Sequence, residues 1–274
     1  HNMIIYSISA GGTVSIADLF TAGIVPGLML AGSLMIAGWW VAVKRGYPAE
    51  AFPGWRAIGP IVLNAVPGIL LIAIIFGGVR SGVFTATESS CIALIYALLV
   101  TLVVYRQMTW EDFVEATLGA VRTTAMVLLV IGSAASFAWL LAILQVPAAM
   151  VAGMRSISND PLVIFLLLNV ILLILGCFMD MAPLIIICTP IFKPVVDAFG
   201  MDPVQFGTIL ILNLGIGLCT PPVGSVLFVS CAVAKIPIMQ AVRTIWPFYF
   251  AAFVVLMIVT YVPAVSLWLP QAFH

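Results

Sequence analysis

Asp180, in the stretch GCFMDMAP, is the only acidic or basic residue between Asp160 and Lys193, and it stands inside an otherwise apolar run. An acid at membrane depth costs about 2.5–3.5 kcal/mol unless it faces water or a cation. Two readings follow. Asp180 is a ligand for a coupling cation or a polar contact to substrate, or it is the N-cap of the next helix in a hydrated pocket. The two roles are compatible.

The second stretch with chemistry is NLGIGLCTPPVGS, from Asn213 to Ser225. Pro221 and Pro222 supply no backbone N–H and their rings clash with the preceding turn, so a helix must break and carbonyls of that turn lose their partners. Membrane proteins tolerate such backbone where it is buried in protein or lines a cavity, and secondary transporters place ions and substrates at discontinuous helices. Freed carbonyls form a cage of neutral oxygens suited to a hard monovalent cation, with sodium the natural candidate. The expected ligands are the backbone oxygens of Gly217, Cys219 and Val223, the hydroxyl and backbone oxygen of Thr220, and Asp180 with Met181 from the first stretch. A packing kink is the competing reading. Asn213 either orients the loop and binds solute or makes an interhelical hydrogen bond. Thr189, before Pro190, is a substrate contact or, the favoured reading, a hydroxyl satisfying its local backbone. Pro183 suits a helix N-terminus, whose N–H groups would face an anion.

Other chemistries lack their residues. The only histidines are His1 and His274, which leaves no internal imidazole for acid–base or metal work. Cys91, Cys177, Cys188, Cys219 and Cys231 include no C-x-x-C pair, so they read as apolar packing residues. A single intramembrane acid assembles neither an aspartyl dyad nor a Ser-His pair, so an enzyme is disfavoured and no cofactor is expected beyond sodium as coupling ion. A channel and a purely structural subunit are the remaining alternatives. The latter has no use for a broken helix opposite an acid.

The elements that must position these residues are membrane spans. With 64% hydrophobic and 7% charged residues and a mean hydropathy of +1.27, the 274-residue chain cannot present a soluble surface and reads as an all-α polytopic membrane protein. Ten basic and ten acidic residues, with no basic run, argue against nucleic acid as a partner. Apolar segments fall near 24–43, 58–79, 89–105, 122–146, 161–199, 206–234 and 244–270. The 161–199 segment, interrupted at Asp180 and Pro183, fits a re-entrant hairpin whose second arm is barely long enough to cross. The 206–234 segment is the one broken at Thr220 to Gly224. These divide the chain into 1–57 (arm helix and scaffold span), 58–160 (spans with an interfacial arm helix at 109–122), 161–234 (hairpin and broken helix) and 235–274 (arm helix and last span).

Helical periodicity at Trp110, Phe113, Val114, Leu118 and Val121 marks the arm helix, with Thr109 and Asp112 in capping-box positions. SIADLFTAGIVPG and IPIMQAVRTIWPF look like similar leads into spans. GGVRSGVFTATESS, with Arg80, Thr85, Thr87 and Glu88, reads as a solvated or salt-bridged loop, and Asn64 and Asn169 as interhelical hydrogen-bond formers. Lys44, Arg45, Arg56, Arg106, Arg122, Lys235 and Arg243 fall on one side when loops are alternated, which makes that side cytoplasmic. Trp246, Tyr261 and Trp268 suit interface anchoring. The opening His1-Asn2-Met3, without initiator Met or signal peptide, leads to the expectation of further N-terminal segments.

GVRSGVFTATE, LGCFMDMAPLIIICTPIFKPVV, DPVQFG and NLGIGLCTPPVGSVLFV together resemble the large membrane subunit of tripartite ATP-independent periplasmic (TRAP) transporters, almost from end to end. The resemblance implies an ion-transporter-superfamily elevator fold with re-entrant hairpin and discontinuous helix. It also implies sodium-coupled import of an organic acid across the bacterial inner membrane. The implied partners are a small membrane subunit, a periplasmic substrate-binding protein and a preceding half of the same subunit carrying a first hairpin and further ligands. Asp180 would sit at the second hairpin and Thr220 to Val223 in the second broken helix. HNMIIYS and the DMAP tip look most like sialic-acid members, with a C4-dicarboxylate or sugar acid as alternatives.

Overall fold

The computed structural model describes residues 2–47, 55–80, 84–106 and 108–273. These are helical nearly throughout: α1 (Asn2–Ser9), α2 (Ile16–Arg45), α3 (Trp55–Arg80), α4 (Ala86–Leu99) running into a π-helical stretch (Val100–Tyr105), α5 (Trp110–Ile143), α6 (Val146–Ile157), α7 (Pro161–Phe178), α8 (Met181–Ala198), α9 (Pro203–Leu218), α10 (Ser225–Ala234), α11 (Ile238–Tyr261) and α12 (Pro263–Phe273). Among the described residues, seven segments are long and apolar enough to cross a membrane, at 16–45, 58–75, 88–105, 110–133, 161–178, 181–198 and 238–261. The chain is a multi-pass membrane protein.

Local rules account for most helix ends. Ser15, Asp160 and Asp202 cap α2, α7 and α9 by accepting from Asp18, Leu162 and Val204 N–H, and Pro161 and Pro203 follow at the first helical position, where a missing N–H costs nothing. Thr109 and Asp112 form the capping box that their spacing predicts: Asp112 Oδ2 accepts from Thr109 N (2.9 Å) and Oγ1 (2.6 Å), and Thr109 Oγ1 accepts from Asp112 N (3.2 Å).

Thr85 and Glu88 make the same reciprocal arrangement at the start of α4, so these two residues of the expected solvated loop form a helix cap. Residues 81–83 of that loop, and the side chains of Arg80 and Thr87, lie outside the described residues, as do 48–54 and the side chain of Arg56.

Three elements differ from expectation. The arm stretches are not separate helices: Trp110 begins a helix that continues to Ile143, and α2 and α11 run through Pro26 and Pro247. No breaker separates the amphipathic lead of α5 from its apolar continuation, so the hydrogen-bond ladder carries on. At 1.5 Å per residue, 34 residues reach about 50 Å, well beyond a hydrocarbon core of about 30 Å, so one end of α5 must extend past it. The second hairpin arm, α8, has 18 residues, as many as α7, because it starts at Met181 and absorbs Pro190 and Pro194. Last, the expected 244–270 span ends at Tyr261, where Pro263 forces Val262 out of helical geometry (φ −117°, ψ 89°) and opens α12.

The chain divides into two compact units. Tyr47–Met126 forms one, in which α3 packs on α4 and the Tyr96 hydroxyl donates to Pro67 O (3.0 Å). The Asn64 carbonyl accepts from Tyr105 (3.4 Å) while its side chain is exposed.

The other unit comprises His1–Gly46 and Val127–His274. Its center is α9, which packs on α7, α8, α11 and α2, with Leu172, Ile185, Phe206, Leu210, Leu214 and Leu256 fully buried between them. Lipid tails are as apolar as leucine, so close packing and interhelical hydrogen bonds must hold such helices together. Both are present. Tyr6 of α1 lies so tightly over Gly207 that a Cβ there would meet its ring at 2.4 Å, and its hydroxyl donates to Pro203 O (2.6 Å). Burial, with Asp197 and Asp202 nearby, pushes the Tyr6 hydroxyl far above the usual phenol range.

Candidate functional site

The site forms where the turn between α7 and α8 meets the break between α9 and α10. Helix α7 ends at Phe178 and α8 begins at Met181, leaving only Met179 and Asp180 between them. Asp180 has extended backbone (φ −71°, ψ 157°), its Oδ1 accepts from Met181 N (2.9 Å), and its carbonyl accepts from Leu184 N (3.3 Å). It is therefore the N-cap of α8, and it is exposed. Oδ2 has no hydrogen-bond partner among the described residues, so a carboxylate oxygen is available beside the cap. Pro183 occupies the third position of α8 and removes one N–H from that helix start.

The break runs from Cys219 to Gly224, with a cis bond between Pro221 and Pro222. Its backbone bonds can be followed carbonyl by carbonyl. Gly217 O accepts from Thr220 N (2.8 Å), and Ile216 O accepts from both Cys219 N (3.1 Å) and the Thr220 hydroxyl (2.8 Å). Cys219 O accepts from the hydroxyl of Tyr249 on α11. Leu218 O and Thr220 O accept no hydrogen bond among the described residues. Both face Gly224: a Cβ on Gly224 would lie 2.8 Å from Thr220 O and 3.2 Å from Leu218 O. Gly224 has φ +37°, in the left-handed region that favours glycine, and a Cβ there would also stand 3.3 Å from Leu227 Cβ.

The two halves are tied together. Gly224 N–H donates to Cys177 O (3.1 Å) near the end of α7, and Gly176 and Gly217 bring α7 and α9 into backbone contact. Met181 reaches Gly215 of α9, where a Cβ would stand 3.5 Å from its Cε, and the Asn2 amide contacts the Met181 sulfur.

The other candidates sit apart. Asn213 is fully buried and donates from Nδ2 to Asn169 O (2.9 Å) and Oδ1 (2.8 Å); Asn169 donates in turn to Thr260 Oγ1 (3.1 Å). Gln205 adds bonds to the carbonyls of Val259 and Thr260. Asn213 is thus engaged in an interhelical network that joins α9 to α7 and α11, and Asn169 does what its isolation in an apolar span implied. Asn213 Oδ1 is buried without a partner. Thr189 is also fully buried, with its hydroxyl donating to Ile185 O (2.5 Å), the local backbone bond favoured for it. Val223 is 44% exposed. All five cysteines are free thiols.

Sequence reasoning missed Leu218 and Tyr249. Leu218 was detectable, because the helical donor to its carbonyl would be the N–H four residues on, and that residue is Pro222. Tyr249 left no such signal, since its position beside the break depends on how α11 packs. It borders an apolar cleft of about 330 Å³ lined also by Leu173, Ile216, Thr220, Pro221 and Trp246.

Comparison with known proteins places these motifs in context. Residues 1–265 match the family described as "Tripartite ATP-independent periplasmic transporter, DctM component". The chain is 41% identical over 271 residues to an uncharacterized protein of Salmonella typhimurium, covering 99% of this chain and 62% of that protein. It is 37% identical over 271 residues to a sialic acid TRAP transporter large permease protein of Vibrio cholerae (99% and 63%). Against a 2,3-diketo-L-gulonate TRAP transporter large permease protein of Escherichia coli the identity is 36% over 260 residues (95% and 61%). The chain therefore spans a little over three fifths of the length of these relatives.

Proposed function

The chain belongs to the DctM component family of tripartite ATP-independent periplasmic transporters, a family of permeases and not of enzymes, and from that premise we propose that it serves sodium-coupled import of an organic acid. The import crosses the bacterial inner membrane by an elevator movement of the hairpin and the broken helix. A small membrane subunit and a periplasmic binding protein that delivers the solute are its partners. Sialic acid is the favoured solute, with a C4-dicarboxylate or a sugar acid as the alternatives; the relatives' names include C4-dicarboxylate and 2,3-diketo-L-gulonate as well as sialic acid.

One observation carries the reading: two unpartnered carbonyl oxygens, of Leu218 and Thr220, lie beside the glycine whose N–H is bonded to the hairpin end. Neutral oxygens without donors are what a sodium ion replaces water with, and Asp180 offers a negative charge at the adjoining turn. Thr220 remains a ligand in this reading, through its backbone oxygen, and Leu218 joins it.

The test is uptake by proteoliposomes holding the intact subunit with its partners. Accumulation of labelled sialic acid should require an inward sodium gradient and fall more than tenfold in Asp180→Ala. Uptake that proceeds equally in potassium would sink the proposal. Failure with sialic acid but sodium-driven uptake of another acid would change only the solute.

A further inference from the structure

Among the described residues, Tyr249 supplies the only side-chain hydrogen bond from another helix to the 219–224 loop, by donating to Cys219 O. Its ring is held edge-to-face by Trp246, at 5.9 Å between centroids and 83° between planes, and it packs along the cleft beside Thr220 and Pro221. The hydroxyl is therefore presented by a side chain whose rotation is restricted.

The consequence follows from backbone geometry. Peptide units are rigid planes joined by two soft dihedrals per residue, so fixing the plane that carries Cys219 O limits the planes on either side. Those neighbours carry Leu218 O and Thr220 O, the two open carbonyls turned toward Gly224. Cys219 O is bonded to α11 while its neighbours' oxygens lie beside the glycine.

We infer that Tyr249 is a positioning residue for the cation cage: by holding the Cys219 carbonyl toward α11, it keeps the Leu218 and Thr220 carbonyls preorganised to receive sodium. This rests on reading the break as a cation site. Tyr249 touches neither cation nor solute, and its effect is on sodium affinity. Without the hydroxyl, the 219–220 peptide is released, and ordering it must be supplied on every binding event.

The experiment uses the intact subunit in detergent, with sodium alone as probe and potassium chloride holding ionic strength constant. Thermal stabilisation is followed against sodium concentration for the native protein, Tyr249→Phe and Phe250→Leu, the last altering the same cleft without touching the hydrogen bond. In Tyr249→Phe the half-saturating sodium concentration should rise about three- to tenfold, the range that one hydrogen bond's net contribution spans, with the full shift still reached at saturation. Phe250→Leu should titrate like the native protein.

If the native protein shows no sodium-specific shift, the cation-site reading fails and this inference falls with it. A native response with an unchanged or lower midpoint in Tyr249→Phe overturns the positioning role alone. Equal midpoint changes in Tyr249→Phe and Phe250→Leu would assign the effect to cleft packing and likewise overturn it.

Discussion

Gly217 lies against Gly176 with no room for a side chain: a Cβ on Gly217 would stand 2.8 Å from both the Cα and the carbonyl carbon of Gly176. This contact seats the end of α9 on the end of α7 and places the break beside the hairpin turn. Backbone cannot retreat as a flexible side-chain tip can, so Gly217→Ala must separate the helices. We expect it to destabilise the subunit by about 1–3 kcal/mol, as overpacking does. Gly215→Ala, whose Cβ would meet only the Met181 tip at 3.5 Å, should be tolerated. Thermal unfolding of the two variants side by side checks this, and equal stability would show that the close approach is dispensable.

Asp180→Asn separates the two roles of the acid. Asparagine caps helices about as well as aspartate, so α8 should keep its stability to within about 0.5 kcal/mol. The charge is gone, however, and sodium-driven uptake should drop at least tenfold. Full uptake in Asp180→Asn would leave capping as the whole function of this residue.

At Gly224, alanine meets two obstacles. The left-handed φ of +37° costs a residue with a Cβ about 1–2 kcal/mol, and the methyl would lie among the carbonyls of Thr220 and Leu218. Gly224→Ala should therefore abolish the sodium-dependent thermal shift, beyond its modest effect on stability in potassium. A native-like sodium titration would remove the cage from consideration.

The Asn213–Asn169 pair predicts strong coupling. Both side chains are buried and bonded to each other, so removing Asn213 leaves Asn169 Oδ1 without its donor, and removing the Asn169 side chain takes from Asn213 one of its two acceptors. Asn213→Ala and Asn169→Ala together should destabilise by less than the sum of the single changes, with a coupling of about 0.6–1.7 kcal/mol, the range of hydrogen bonds between membrane helices. Additive effects in a double-mutant cycle would contradict the network.

The sequence alone determined the membrane class, most of the apolar segments in outline, the turn at Asp180 and a break at Thr220 to Gly224, which the structure opens one residue earlier, because each depends on chain-local chemistry. Apolar composition decides what can face lipid, a carboxylate caps the N–H beside it, and proline has no N–H to give. Even the open carbonyl of Leu218 was within reach of that arithmetic. The amphipathic leads misled on boundaries, since a face that is polar for a few turns does not interrupt a helix when no breaker follows, as from Trp110 to Ile143.

Tertiary structure decided the rest. Which carbonyls of the break remain open depends on donors from distant segments: Tyr249 takes Cys219 O, while Gly224 N–H turns away to Cys177 O. Asn213 is committed to Asn169 by the packing of α9 on α7. Prolines announce that partners are lost, but only the packing of other helices decides which of the freed groups find new ones.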